Sequence, residues 1–201
     1  CWFPPAWAID GGPASYARQG GVIAYRLDNR KKEKIYKSMA DYLLYAKRYY
    51  GIEFSMFSFN ESDLGIDVLH TPQEHADFIK EFGAYLAELN LPTRMLLGDN
   101  SDATTFDFIL PALNNSETHK YIGAVSFHSW RGCDDVTLRK WADAAKEINV
   151  PLLVGEGSTD AAAHGYAEIF NESTFALYEI NLYTRICTIC QPLSILQWQL
   201  P

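Results

Sequence analysis

The chain has few of the residues that mark several large protein classes. Only 4 of its 201 residues are cysteine, too few for a disulfide scaffold at this length. Cys187 and Cys190 form a C-x-x-C within an apolar stretch with no second close pair. With Cys133, they read as small buried hydrophobes rather than a metal or redox pair. Positive charge is also short: 17 Lys and Arg against 25 Asp and Glu leave a net charge of -8. That balance excludes a nucleic-acid backbone as partner. No apolar run approaches the roughly 20 residues of a membrane span. The 5 histidines, His70, His75, His119, His128 and His164, show no i, i+4 pair or paired spacing, so no metal site is expected. The only Gly-rich stretch, Gly11-Gly12-Pro13 with Gly20-Gly21, precedes the first strand and is not a phosphate-binding fingerprint. No cofactor is expected. The chain opens on Cys1 with neither an initiator Met nor a signal peptide, which suits a processed product or an excised piece.

What is plentiful is aromatic. Trp, Tyr and Phe number 5, 12 and 11, or 14% of the chain; planar apolar rings suit sugars, although most will be core. The 48% hydrophobic and 21% charged fractions are ordinary, and residues 1–201 are expected to form one domain. Residues 2–21 read as loop. Helical spacing runs over 31–50 and ends at Gly51, and a strand follows over 52–60. Thr71-Pro72 opens a helix to about Asn90. Strands over 94–98, 121–128, 151–155 and 194–199 alternate with helices over 103–114, 134–149 and 172–189. Such alternation demands parallel strands with right-handed crossovers. It fits an open doubly wound sheet or most of a (β/α) barrel.

Two stretches carry the chemistry. Phe57-Ser58-Phe59-Asn60-Glu61 and Leu152-Leu153-Val154-Gly155-Glu156-Gly157 are apolar runs that end in a carboxylate. Carboxylates at the ends of parallel strands face one rim of the sheet, where α/β proteins place their chemistry. Held about 5 Å apart, two of them can break a glycosidic bond with retention. A lone Glu after a strand is more often a solvated loop residue; two in equivalent places shift the balance. Asp99 and Asn100 end another strand and read equally well as substrate contacts or loop caps.

These residues resemble a known group of enzymes. Phe59-Asn60-Glu61 looks like the Asn-Glu acid/base motif ending strand four of the clan A glycoside hydrolases, which are (β/α)₈ barrels. Val154-Gly155-Glu156 resembles the nucleophile ending strand seven. Trp2-Phe3-Pro4-Pro5-Ala6-Trp7 is similar to the stretch after strand three in family thirty of that clan. Val125-Ser126-Phe127-His128-Ser129-Trp130 resembles strand six, and Leu196-Gln197-Trp198-Gln199 strand eight.

The resemblance implies a partial (β/α)₈ barrel, its strands four to eight, and a retaining β-glycoside hydrolase without metal or cofactor. Glu61 would be the acid/base and Glu156 the nucleophile. Asn60 would bond the sugar's 2-hydroxyl, while Trp7 and Trp198 would wall the pocket. His128 would stand beside the nucleophile, and Trp130 would be a platform or an edge of the core. Ser62 stands where that family often has Pro, and no residue matches the Arg that the clan's second strand supplies. Strands one to three are therefore expected from the same parent chain. A β-linked glycan or glycoconjugate is the expected partner, acted on outside the cell or in the periplasm. The rival expectations are a non-catalytic carbohydrate-binding remnant and, last, a metal-dependent barrel hydrolase. The N-x-S triplets at Asn60, Asn114 and Asn171 are read as chance.

Overall fold

The computed structural model describes residues 3–15, 17–19, 22–158 and 173–198, with backbone only for 17–19 and 22–23. Trp2, Gln199, the loop through His164, Asn171 and the helix start at Glu172 lie outside the described residues.

Five parallel strands curl into part of a barrel, in the order β3-β4-β5-β6-β7. They are β3 (Met56–Phe57), β4 (Arg94–Asn100), β5 (Ile122–His128), β6 (Leu152–Gly157) and β7 (Ser194–Gln197). Sequential strands are neighbours in the sheet, as right-handed crossovers through outer helices require. The crossovers are α2 (Pro72–Glu88), the short helices α3 (Leu110–Leu113) and α4 (Ser116–His119), α5 (Asp135–Glu147) and α6 (Ser173–Cys190); α1 (Lys32–Tyr50) precedes β3.

Local chemistry sets most boundaries. Thr71 and Glu74 close a reciprocal capping box at the start of α2, with Pro72 in its first turn. The Asp134 carboxylate accepts from the Val136 and Thr137 N–H groups to start α5. Gly51, at φ 64°, ends α1 in the left-handed region. Burial does the rest: β4 and β5 are enclosed on both faces, with Leu97, Ile122, Val125 and Phe127 fully inside. Outside β3 and β4, Tyr36, Phe57, Phe78 and Phe82 pack ring on ring, Phe57 and Phe82 at 5.4 Å between centroids. Between β5 and α5 lies Trp141, fully buried, whose Nε1 donates to the Ala103 carbonyl at 2.9 Å.

Three expectations are corrected. Within residues 2–21, read as loop, Ala17–Gln19 form β1, which pairs antiparallel with β2 (Val22–Ala24). A Gly-Gly pair between two short runs is itself a hairpin signal. The strand expected over 52–60 is only two residues long, because only Met56 and Phe57 register with β4. The chain then leaves the sheet and seats Phe59 on Phe78, 4.7 Å between centroids. The helix expected over 103–114 is a 3₁₀ segment, Ala103–Ile109, followed by one turn of α-helix. Asn100 takes the carbonyl and hydroxyl of Thr105 as acceptors, which ties that segment to the end of β4.

Among the described residues, neither β3 nor β7 pairs with a further strand on its outer side. Large apolar side chains are exposed on both flanks: Tyr42, Tyr45 and Tyr49 on α1, and Leu177, Ile180 and Leu196 on α6 and β7.

Candidate active site

The site is assembled at the C-terminal ends of β4, β5 and β6, with one turn added after β3. Glu61 belongs to that turn rather than to a strand. Its φ is 49°, left-handed for a residue with a Cβ. Its carbonyl accepts from the Leu64 and Gly65 N–H groups, and its own N–H donates to the Asp99 carbonyl at 3.1 Å. The turn is pinned a second time by Asp63, which accepts from Ser101 and Thr105 at 2.8 to 3.0 Å. Asp99 has φ 60° and follows Gly98 at φ 92°. These two consecutive left-handed residues make the bulge at which Gly98 faces Ser126 but Asn100 faces Phe127. Strain of this kind persists only where its surroundings over-determine it, and it gathers at functional sites.

Glu156 lies within β6, half-buried. Its carbonyl accepts from Ser129 N–H, and beyond it Ser129 Oγ donates to the Ser158 carbonyl while Ser158 N–H donates back. That lock holds β5 and β6 level at the rim. Trp130 Nε1 donates to Glu156 Oε2 at 3.2 Å. The Trp198 ring, half exposed, meets the Trp130 ring edge-on at 5.1 Å between centroids.

His128 ends β5 and is fully buried. Its Nδ1 lies 2.9 Å from Glu61 Oε1 and 3.3 Å from Glu156 Oε2, and its Nε2 lies 3.2 Å from Asp99 Oδ1. One atom each of Glu61, His128 and Glu156 fall within 4.8 Å of one another, near the close spacing of paired glycosidic carboxyls. Such a trio is also the one group among the described residues that could hold a metal ion. Burial works against charging the ring, but hydrogen bonds to Asp99 and Glu61 and the charges of Asp99 and Glu156 raise the His128 pKa to about 10. Burial raises Asp99, yet bonding to His128 outweighs it and the carboxyl titrates below the ordinary range. Burial raises Glu156, with His128 and Trp130 only partly offsetting it.

The sequence candidates thus divide. Glu61, His128, Glu156 and Trp130 converge, with Trp198 edge-on to Trp130 and Asn60, half-buried, in the turn before Glu61. Asp99 is only 7% exposed and turned toward His128, beneath the rim. Asn100 is fully buried and donates to Thr105. Trp7 sits against the start of α1, where its carbonyl accepts from Lys31 and Lys34 Nζ lies 4.3 Å from its ring centroid.

Sequence reasoning did not find Ser126 or Gly155. Ser126 Oγ donates to Asp99 Oδ1 at 3.0 Å. A Cβ on Gly155 would collide with Asp99 Oδ1 and stand 3.0 Å from Ser126 Oγ and 3.1 Å from His128 Nε2. The missing side chain makes room for the carboxylate–imidazole pair, and only the tertiary packing reveals it. Gly155→Ala is therefore expected to break that buried pair and cost about 3 kcal/mol or more, measured as a lowered urea midpoint. A midpoint unchanged from wild type would refute the packing account.

No family model matches the chain, and none of the curated proteins does. Solved structures do. The chain superposes on SrfJ from Salmonella typhimurium with TM-score 0.74 and 16% identity, over 98% of this chain and 42% of that one. On a glycoside hydrolase family 30 subfamily 8 xylanase, Xyn30A from Clostridium acetobutylicum, the TM-score is 0.75 at 16% identity, over 100% of this chain and 46% of that one. A GH39 β-xylosidase from Caulobacter crescentus gives 0.63 at 12% identity, over 83% and 38%. These structures share the fold of this chain. This chain spans less than half the length of each of those structures. Among the described residues, no helix is long and apolar enough to cross a membrane.

Proposed function

We propose that this chain carries the catalytic pair of a retaining β-glycoside hydrolase acting on a β-linked oligosaccharide or polysaccharide. The observation that supports it best is the approach of Glu61 and Glu156 to within 4.8 Å on either side of His128, on a fold shared with a xylanase and a β-xylosidase. Glu156 Oε2 is engaged by Trp130 Nε1 and faces His128 Nδ1, which leaves Oε1 to meet the anomeric carbon. In the first step the Glu156 oxygen bonds to that carbon as the glycosidic C–O bond breaks, and the departing oxygen takes the Glu61 proton. In the second, water adds to the carbon, its proton goes to Glu61, and the bond to Glu156 breaks. Trp130 and Trp198 offer an indole wall for the sugar, and Asn60 a donor for its 2-hydroxyl. In the active protein, further strands would cover the exposed flanks of α1 and β7. The site would work outside the cell or in the periplasm, where glycans are.

Testing requires aryl β-xylosides and β-glucosides, with the anomer of the first-formed product followed by NMR. Retention supports the assignment, and inversion overturns it. Trp130→Phe keeps the ring but removes the Nε1–H that bonds Glu156. A hydrogen bond to a charged group is worth about 1.5–3 kcal/mol, so kcat is expected to fall roughly 10- to 100-fold, with little change in sugar binding. Unchanged kcat would remove Trp130 from the chemistry.

A second reading, a carbohydrate-binding domain without turnover, draws on one observation. Glu156 titrates above the ordinary range because it is buried, whereas a nucleophile must be ionised.

A further inference from the structure

Both ring nitrogens of His128 face carboxylate oxygens. Nδ1 stands between Glu61 Oε1 and Glu156 Oε2, and Nε2 faces Asp99 Oδ1. A neutral imidazole has one N–H and one lone pair. In this setting it would turn that lone pair on a carboxylate, at a ring that is itself fully buried. Only the doubly protonated ring satisfies all three contacts.

We propose that Asp99 is a positioning residue, which keeps His128 doubly protonated and aims a fixed positive charge between the two glutamates. Its role at the glutamates rests on the glycosidase assignment above; its hold on His128 does not. Three features support it. The double left-handed bulge at Gly98 and Asp99 turns the carboxylate inward, under β5 and β6, instead of letting it reach the rim. Ser126 Oγ bonds the same Oδ1, and Gly155 leaves the space. The Asp99 carbonyl also holds the backbone N–H of Glu61, so one residue fixes both the imidazole and the acid that the imidazole touches. The titratable groups facing the ring are Glu61 from the turn after β3, Asp99 from β4 and Glu156 from β6. The upward displacement of the His128 pKa agrees with this arrangement.

A fixed imidazolium suits a cycle in which negative charge moves from one glutamate to the other. When Glu156 is bonded to the sugar, Glu61 has given up its proton and is the anion that Nδ1–H meets. When Glu61 regains its proton, Glu156 is the anion, on the other side of the same N–H. The ring keeps both protons throughout; it neither gives nor takes one.

The test is ¹⁵N NMR of the whole chain labelled at histidine, with His128 assigned by loss of its signals in His128→Gln. At about pH 8, well above the ordinary histidine range, both His128 ring nitrogens are expected to be protonated in wild type. In Asp99→Asn the ring is expected to titrate at least about one pH unit lower, and the alkaline limb of kcat on an aryl β-glycoside should move down with it. A wild-type His128 that is neutral at that pH overturns the proposal outright, whether or not the variant folds. Normal spectra with an unmoved alkaline limb in Asp99→Asn overturn its role in turnover. Expected spectra from a wild type that cleaves no aryl β-glycoside would leave the Asp99–His128 pair standing and sink the glycosidase assignment instead.

Discussion

Glu156→Gln is expected to abolish turnover while sugar binding survives. Gln keeps the size of Glu and can still accept from Trp130 Nε1, so the rim that Ser129 and Ser158 lock together should remain level. What disappears is the oxygen anion proposed to bond the anomeric carbon. Removing a nucleophile that acts as part of a unit costs on the order of 10⁴-fold or more in kcat, with KM scarcely changed. Glu61→Gln should behave differently. Losing a general acid costs roughly 10²–10⁴-fold, and the loss should shrink for aryl groups that leave without a proton. The measurement is kcat for both variants across a series of aryl leaving groups. If Glu156→Gln turns over within tenfold of wild type, Glu156 is not the nucleophile. A wild type that binds oligosaccharides but never cleaves them would favour the binding-domain reading.

Acid is expected to unfold the protein well before its carboxylates are titrated away. His70 is buried between Phe59 and Phe78, and its Nδ1 has no hydrogen-bond partner among the described residues. Burial pushes its pKa down to about 4. His75 accepts from the Gly98 N–H at 3.0 Å and packs on Phe108, and burial lowers it to about 3. Below about pH 6.5 the unfolded chain takes up protons that these two rings refuse. Stability should therefore fall as pH drops from about 6.5 toward 4 and 3, by about 3 kcal/mol from His70 alone. His128 acts in the opposite window. Its raised pKa means that its contribution is full below about pH 6.5 and is lost as pH climbs through 10. Urea midpoints measured from pH 4 to pH 10 should accordingly peak near 6.5. His70→Phe is expected to flatten the acid side by about one proton at little cost in stability, because the ring joins an aromatic cluster and no bond to Nδ1 is lost. An acid side as steep as wild type would show that His70 is not the group being charged.

Much of this was legible along the chain. The apolar runs ending in β4, β5 and β6, the capping box at Thr71 and the stop at Gly51 are local signals, and the elements they mark were found within a few residues. The first strand was not, because its length depends on how far β4 extends beside it, a contact between residues almost 40 positions apart. The pairing of β1 with β2 is not foreseen when the stretch through Gly20-Gly21 is read as loop alone. In the site, Glu61, Glu156 and His128 announced themselves by residue type and position after an apolar run. Asp99 was visible, but its direction was not. Period-two alternation forecasts which face a side chain takes only while the strand stays regular, and two consecutive left-handed residues end that regularity at Gly98.

By itself the sequence determined the alternation of strands and helices, the parallel sheet that follows from it, and that Glu156 falls at the end of a strand, because each depends on neighbours within a turn or two of chain. Only the tertiary structure decided what stands between those acids. Asp99 on β4 and the bare Cα of Gly155 on β6 meet His128 on β5, and a pattern along one strand carries no information about the space left by another.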